Sequence, residues 1–263
     1  VIRPTSKTLV VAAILVGVTT AGGSALAQDF SVGREPTLTT SRLGIESSYA
    51  NFDLDGTQGQ YAGLTVRGDL KLAKHVGLRL LVPTYFIQLE NMPTHFGPGD
   101  AAIRVRALLY EGHPWRFYWG VEDQLPTGDT SLHLGQGGTQ LTPFITGGWR
   151  KGSFVAFLSV ADCIGLHPNK VIPDDFVDPS TDHELRTVLG GFTEITDSFY
   201  VNVAFTDVTL LEPGQLGQTL LTGGIAFGYA FDDDAKIVLI DQMPVAGDHR
   251  FEEKIGLNGY FYF

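Results

Sequence analysis

Phe251-Glu252-Glu253-Lys254-Ile255-Gly256-Leu257-Asn258-Gly259-Tyr260-Phe261-Tyr262-Phe263 is the stretch that decides the fold. Its odd positions give Phe251, Ile255, Leu257, Phe261 and Phe263, and its even positions give Glu252, Lys254, Asn258, Tyr260 and Tyr262; only Glu253 breaks the apolar set. Period-2 alternation puts the two sets on opposite faces of a sheet. A strand with one apolar face that ends on Phe reads as the closing strand of an outer-membrane β-barrel, whose lipid-facing side must be apolar. The same pattern also fits a half-buried strand of a soluble sheet, so the rest of the chain has to decide.

The other end of the sequence argues for export. Arg3 and Lys7 precede the apolar stretch Leu9 to Val18, followed by Gly22-Gly23-Ser24 and then Ala25-Leu26-Ala27. A charged region, an apolar region and a small-x-small site predict a signal peptide over residues 1–27, leaving 28–263 as the barrel. The apolar run is shorter than the roughly 20 residues a membrane-spanning helix needs, and no later segment is longer. Membrane residence therefore requires a barrel, in which every backbone polar group is paired.

Composition narrows the function. The chain has a net charge of −11, and removing Arg3 and Lys7 leaves 16 basic against 29 acidic residues, a net of −13. That balance excludes a nucleic-acid partner, which wants a basic face. Cys163 is the single cysteine, so no internal disulfide forms, and it reads as a small residue at the rim. Cysteine pairs, zinc-type histidine spacings and phosphate loops are missing from the sequence, which implies neither metal nor cofactor.

Strands and breakers alternate along the chain. Strands are predicted at 41–52, 60–72, 76–89, 100–111, 115–125, 139–150, 154–163, 184–195, 198–209, 218–231, 235–245 and 251–263. The long connections are Asp53–Gly59, Glu90–Gly99, Pro126–Gly138, Ile164–His183, Leu210–Gly217 and Ala246–Arg250; the short ones all fall at the opposite end. This asymmetry predicts an all-β, transmembrane, antiparallel up-and-down barrel of 12 strands, with short periplasmic turns and longer extracellular loops. Apolar parity repeats in most strands, as in Phe199/Val201/Val203/Phe205 opposite Tyr200/Asn202/Thr206, whereas 235–245 shows no clean alternation. Outward aromatics gather near the short turns (Phe117, Trp149, Phe154, Phe199, Phe231, Phe261, Phe263), as an interfacial girdle would.

The inward faces hold the candidate site. A twelve-stranded barrel tilted near 40° has a backbone radius of roughly 12 Å, which leaves a bore for a small solute once side chains are placed. Drawing the hairpins sets Glu46 opposite Arg67, Asp69 opposite Arg79 and Arg104 opposite Glu122, all on the inward face. These six, with Arg106 and Arg116 as unpaired excess, are the predicted pore-lining residues. They either satisfy one another in a confined interior or form a constriction that selects polar or anionic groups.

Two other chemistries have candidate residues in the sequence. Asp174, Asp175, Asp178, Asp182 and Glu184 crowd the longest loop and could take Ca²⁺ or bridge lipid A, but the glycine spacing of a calcium loop is absent, so a solvated loop is preferred. Ser180, Asp182 and His183 are the single neighbouring hydrolase set, on a loop where adjacent residues rarely converge on one reacting atom. No catalytic residue is assigned.

Three segments taken together carry a resemblance: Gly99-Asp100-Ala101-Ala102-Ile103-Arg104-Val105-Arg106, Leu125-Pro126-Thr127-Gly128-Asp129 and Leu134-Gly135-Gln136-Gly137-Gly138-Thr139-Gln140. In this order they resemble the outer-membrane barrel family of Gram-negative bacteria named for the MetA pathway of phenol degradation. The resemblance covers about residues 97–150 and implies a transport-like role in aromatic-compound metabolism. It transfers no substrate-binding residue.

The expectation is a monomeric channel in the outer membrane of a Gram-negative bacterium. It would pass small solutes, aromatic or hydrophobic compounds among them, without catalysis. Its expected partners are outer-membrane lipid and lipopolysaccharide, the solute, and the barrel-assembly machinery that reads the C-terminal strand. A structural or interaction barrel closed by its ion pairs is the alternative, and a membrane-embedded lipid hydrolase ranks third.

Overall fold

Each alternating segment becomes a strand, and the strand pairing closes on itself. The protein is seen in a computed structural model that describes residues 41–54, 57–90, 92–166, 177, 181–231, 235–247 and 249–263. The first six strands are β1 (Arg42–Leu54), β2 (Thr57–Ala73), β3 (Val76–Leu89), the short β4 (His95–Pro98), β5 (Ala101–Gly112) and β6 (Trp115–Leu125). They are followed by β7 (Gln140–Lys151), β8 (Phe154–Gly165), β9 (His183–Glu194) and β10 (Phe199–Leu210), then β11 (Thr219–Ala230), β12 (Ala235–Gly247) and β13 (Glu253–Tyr262). The order runs β2-β1-β13-β12-β11-β10-β9-β8-β7-β6-β5-β3, and β2 pairs with β3 to close the ring. Every pairing is antiparallel between neighbours. Closure removes both sheet edges.

The additional strand β4 completes one stave. The lower half of β3 pairs with β5, from Val76↔Ala107 to Leu81↔Ala102, and its upper half pairs with β4, from Thr84↔Pro98 to Ile87↔His95. β4 and β5 are one barrel position broken at Gly99-Asp100, so there are twelve staves. The predicted signal peptide and the turn Asp232–Asp234 lie outside the described residues.

One connection differs from expectation. The first outer connection is read as Asp53–Gly59, but β1 and β2 stay paired through Asp53↔Gln58 and Leu54↔Thr57. Outward polar side chains extend that hairpin: Gln58 donates to Asp53 (2.9 Å) and Gln60 to Gln88 (2.9 Å).

Side chains alternate across the wall. Val66, Val82, Trp119, Ile145, Leu158, Leu189, Phe205 and Leu239 face outward and are exposed, forming an apolar outer band. Rings cluster by its short-turn end, where Trp115 stacks on Phe117 at 6.1 Å and Tyr229 meets Phe231 edge-on at 5.2 Å. Phe261 and Phe263 are exposed there too. Phe251 departs from its expected outward place: it precedes β13 and packs against a buried cluster inside the barrel.

The inner wall explains why β12 shows no alternation. Its outward Leu239 and Met243 are exposed, but its inward Val238 is buried with Tyr200 and Tyr260, and Ile240 packs against them. A strand apolar on both faces carries no period-2 signal. Inward rings lie flat on glycines of the next strand. A Cβ at Gly228 would fall 1.5 Å from the Tyr200 ring, so only glycine lets that ring lie against the wall.

Candidate functional site

The charged side chains inside the barrel begin with Arg42 and Glu46, two strand turns apart on the inward face of β1. Glu46 receives Arg67 Nη1 at 2.8 Å, and Arg67 Nε reaches Asp69 Oδ2 at 2.8 Å. Asp69 takes two more arginines, Arg79 Nε on Oδ1 at 2.7 Å and Arg42 Nε on Oδ2 at 2.5 Å. Farther round the wall, Arg104 Nε meets Glu122 Oε2 at 2.6 Å. The three ion pairs drawn from the sequence are formed, but one register differs. Asp69↔Arg79 and Arg104↔Glu122 are direct partners, whereas Arg67 stands opposite Gly44 and Glu46 opposite Thr65. The two-residue offset makes Glu46 and Arg67 diagonal neighbours and leaves both facing inward.

Arg116 was expected to be unpaired excess; instead it forms an ion pair with Glu111. An irregularity between Leu108 and Tyr110 turns Glu111 to the inner side, directly opposite Arg116. Arg106 faces inward opposite Gly77 and Gly120 and lies within electrostatic reach of Asp69.

Aromatic rings support these cations. Tyr260 donates its hydroxyl to Glu46 Oε1 (2.9 Å) while Arg42 lies 4.7 Å and Arg67 5.6 Å from its ring centre. Arg104 sits 5.1 Å over Phe144, and Lys254 5.8 Å over Tyr61. Cation–π contacts hold guanidinium groups without cancelling their charge.

The charge balance inside is opposite to that of the whole chain. The buried charged side chains among the described residues are Arg42, Arg67, Arg79, Arg104 and Lys254 against Glu46, Asp69 and Glu184, five cations to three carboxylates. Arg79 and Arg104 stand directly opposite each other across β3 and β5. Like charges in direct opposition repel, and each of the two is offset by its own carboxylate, Asp69 for Arg79 and Glu122 for Arg104.

Farther round, apolar clusters alternate with buried polar side chains such as Thr142, Thr146, Ser159 and Asn202. Phe144, Val155, Phe157, Ala161, Val188 and Phe192 form one buried cluster on β7–β9, and Tyr200, Val238 and Tyr260 another. Cys163, expected at a rim, is buried on the inner face of β8. The arginines of β1–β5 thus lead round into a wall of mixed aromatic, aliphatic and polar side chains.

At the outer mouth, the three segments that carry the family resemblance meet on one carboxylate. Asp100 Oδ1 accepts from the Gly128 amide (2.8 Å), and its Oδ2 from the Gln136 amide (2.7 Å) and Gln124 Nε2 (3.4 Å). Thr127 Oγ1 donates to the Gly99 carbonyl (2.9 Å) and accepts from the Ala101 amide (2.8 Å). Asp129 caps the short 3₁₀ turn Thr130–Leu132, accepting from the Ser131 hydroxyl (2.6 Å) and amide (2.9 Å). Those bonds from Ser131, the hydroxyl first, hold its carboxyl below the ordinary aspartate value.

Glu184 is not a loop carboxylate open to divalent ions. It is the second residue of β9, is buried, and pairs with Arg186 (2.5 Å) and Arg250. Asp174, Asp175, Asp178 and Ser180 lie outside the described residues. Among the described residues no group of three His, Cys, Asp or Glu side chains could hold a metal. His183 bonds Asp162 at 2.8 Å, not Asp182, with both side chains well exposed.

Sequence reasoning missed Arg42, Lys254, Arg186 and Arg250 as interior cations. The parity of β1 already put Arg42 on the face of Glu46. Nothing in the sequence pointed Arg250, in the connection before β13, at Glu184.

No family model and no curated protein matches the chain. Solved structures do share its fold. The COG4313 outer membrane channel from Pseudomonas putida F1 superposes with a TM-score of 0.68 at 12% identity, over 92% of this chain and 100% of that one. The NanC porin gives 0.56 at 9% identity, and the KdgM porin, solved in complex with disordered oligogalacturonate, gives 0.54 at 7%. Both cover 84% of this chain and 99% of their own.

Proposed function

We propose that this chain is a channel of the Gram-negative outer membrane, passing small anionic solutes, aromatic carboxylates among them, without catalysing a reaction on them. The closed barrel with its apolar outer band and ring girdle supports membrane residence. The observation that carries selectivity is the direct opposition of Arg79 and Arg104 within an interior where buried cations outnumber carboxylates. Rings of basic side chains select anions by replacing part of their hydration. The neighbouring Phe144, Phe157 and Phe192 cluster gives the body of an aromatic anion an apolar wall. The KdgM porin, built on the same frame, was solved with an oligogalacturonate, which is itself an anion.

The test is the reversal potential of the refolded protein in a planar bilayer under a salt gradient. Anion selectivity that falls in Arg79→Ala and Arg104→Ala supports the reading; cation selectivity overturns it. The burial of the ion pairs favours a second reading, a barrel with a closed interior, and that reading gains if no current flows at any voltage.

A further inference from the structure

Residues 126–139 leave the wall at the top of β6 and return at β7, but they do not stay over that part of the rim. Leu134, 1% exposed, lies over the inner side of Gly97, where its Cδ1 would be 2.9 Å from a Cβ. It belongs to one buried cluster with Phe52 of β1, Tyr61 of β2 and Ile87 and Leu89 of β3, all inward residues. Val177, from the connection between β8 and β9, joins the same cluster. From β8 to β3 the route around the wall passes four staves, roughly 19 Å at about 4.8 Å per strand. Leu134 and Val177 therefore meet among inward side chains of β1, β2 and β3.

The stems of this segment are fastened at a single point. Asp100, at the break between β4 and β5, accepts the Gly128 amide with one carboxylate oxygen and the Gln136 amide with the other. Charge-assisted bonds of this kind are the strong class. Between those anchors the two stems touch backbone to backbone: a Cβ on Gly128 would lie 2.7 Å from the Gly135 Cα, and a Cβ on Gly135 would lie 2.7 Å from the Gly128 Cα. Glycines at both positions give the segment a closed stem, and Leu134, the residue before Gly135, carries its apolar contact with the inward side chains of β1, β2 and β3.

We propose that residues 126–139 are a lid across the outer mouth, that Leu134 is its apolar stopper, and that Asp100 is the positioning residue that holds it shut. An apolar side chain in a narrow bore blocks current by excluding water, so its withdrawal opens the path. This inference rests on the channel reading.

Single-channel recordings of the full refolded chain in planar bilayers separate the roles. Asp100→Ala lengthens the time spent open by about tenfold with the open current unchanged, because it loosens the anchor and leaves the bore alone. Leu134→Gly raises the current of the closed level instead, and adding Asp100→Ala to it changes dwell times only. Asp100→Asn, which keeps an acceptor oxygen without the charge, falls between wild type and Asp100→Ala. Heat-modifiable migration on a gel shows which variants have folded; Leu134→Gly, which leaves the Asp100 anchor and the strand residues of the cluster in place, carries the test alone if the Asp100 variants do not. Identical dwell times and levels in wild type and folded variants overturn the lid and leave anion selection standing. Silence of wild type and every folded variant overturns the channel reading, and the lid with it.

Discussion

Arg79 and Arg104 face each other directly across β3 and β5, and each is joined to a carboxylate on its far side, Asp69 and Glu122 respectively. The carboxylates therefore bracket the two arginines without standing between them. The interior is stabilised against its own charge while the mutual repulsion of the two guanidinium groups persists.

Asp69 is the keystone of that arrangement, because three arginines converge on its two oxygens. Asp69→Asn leaves buried guanidinium charge uncompensated, which costs about 3–5 kcal/mol when one partner of a buried pair is removed. The urea midpoint of the vesicle-folded barrel drops accordingly. A midpoint within error of wild type means the cluster does not hold the wall.

Gly228 is required by Tyr200, whose ring occupies the space a Cβ would take. Gly228→Val pushes the ring into the interior and costs about 1–3 kcal/mol through overpacking. Gly228→Val combined with Tyr200→Ala recovers most of that loss in thermal unfolding. If the double variant is no more stable than Gly228→Val alone, the ring is not the reason for the glycine.

Leu189 sits mid-strand on the outer face, 57% exposed, opposite Leu158 and Phe205. In a bilayer, Leu189→Arg costs about 2–4 kcal/mol. On a water-facing surface it would cost almost nothing. Folding efficiency into lipid vesicles, compared with detergent micelles, reads the difference, and equal efficiency for the variant and wild type in vesicles counts against the membrane reading.

Asp129 gives the outer mouth a pH dependence with a definite sign. Its carboxyl is held below the ordinary value by Ser131, so the capped turn gains stability that is fully present above about pH 4, the unperturbed aspartate range, and is lost as pH falls through the lowered value. Open dwell times should lengthen below about pH 4 in wild type and be insensitive to that change in Asp129→Asn. A variant that follows the wild-type pH curve shows that another group titrates.

The barrel was legible in the sequence because a wall with lipid outside imposes alternation on nearly every strand. Where that constraint is doubled, it disappears: Val238 and Ile240 are packed inside, so β12 shows no period although it is an ordinary stave. The ion pairs were legible through parity. Glu46 and Arg67 meet in spite of a register read two residues off, since an even slip preserves the face. Glu111 was not legible, because the irregularity after Leu108 reverses parity locally. The junction at Asp100 was equally hidden. Its partners Gly128 and Gln136 lie 28 and 36 residues away, and nothing in local pattern announces an amide pointing at a distant carboxylate.

The flat rings carry a consequence for how such a barrel diversifies. Tyr200 on Gly228, Phe157 on Gly190 and Phe144 on Gly120 each lie down only because the neighbouring strand lacks a side chain. For the proposed channel, the caliber of the bore is thus written partly in glycines of the wall. Exchanging a glycine for alanine on one stave stands a ring up on the next, so the aperture narrows or widens in steps at constant strand number, without disturbing the arginines or the lipid-facing surface.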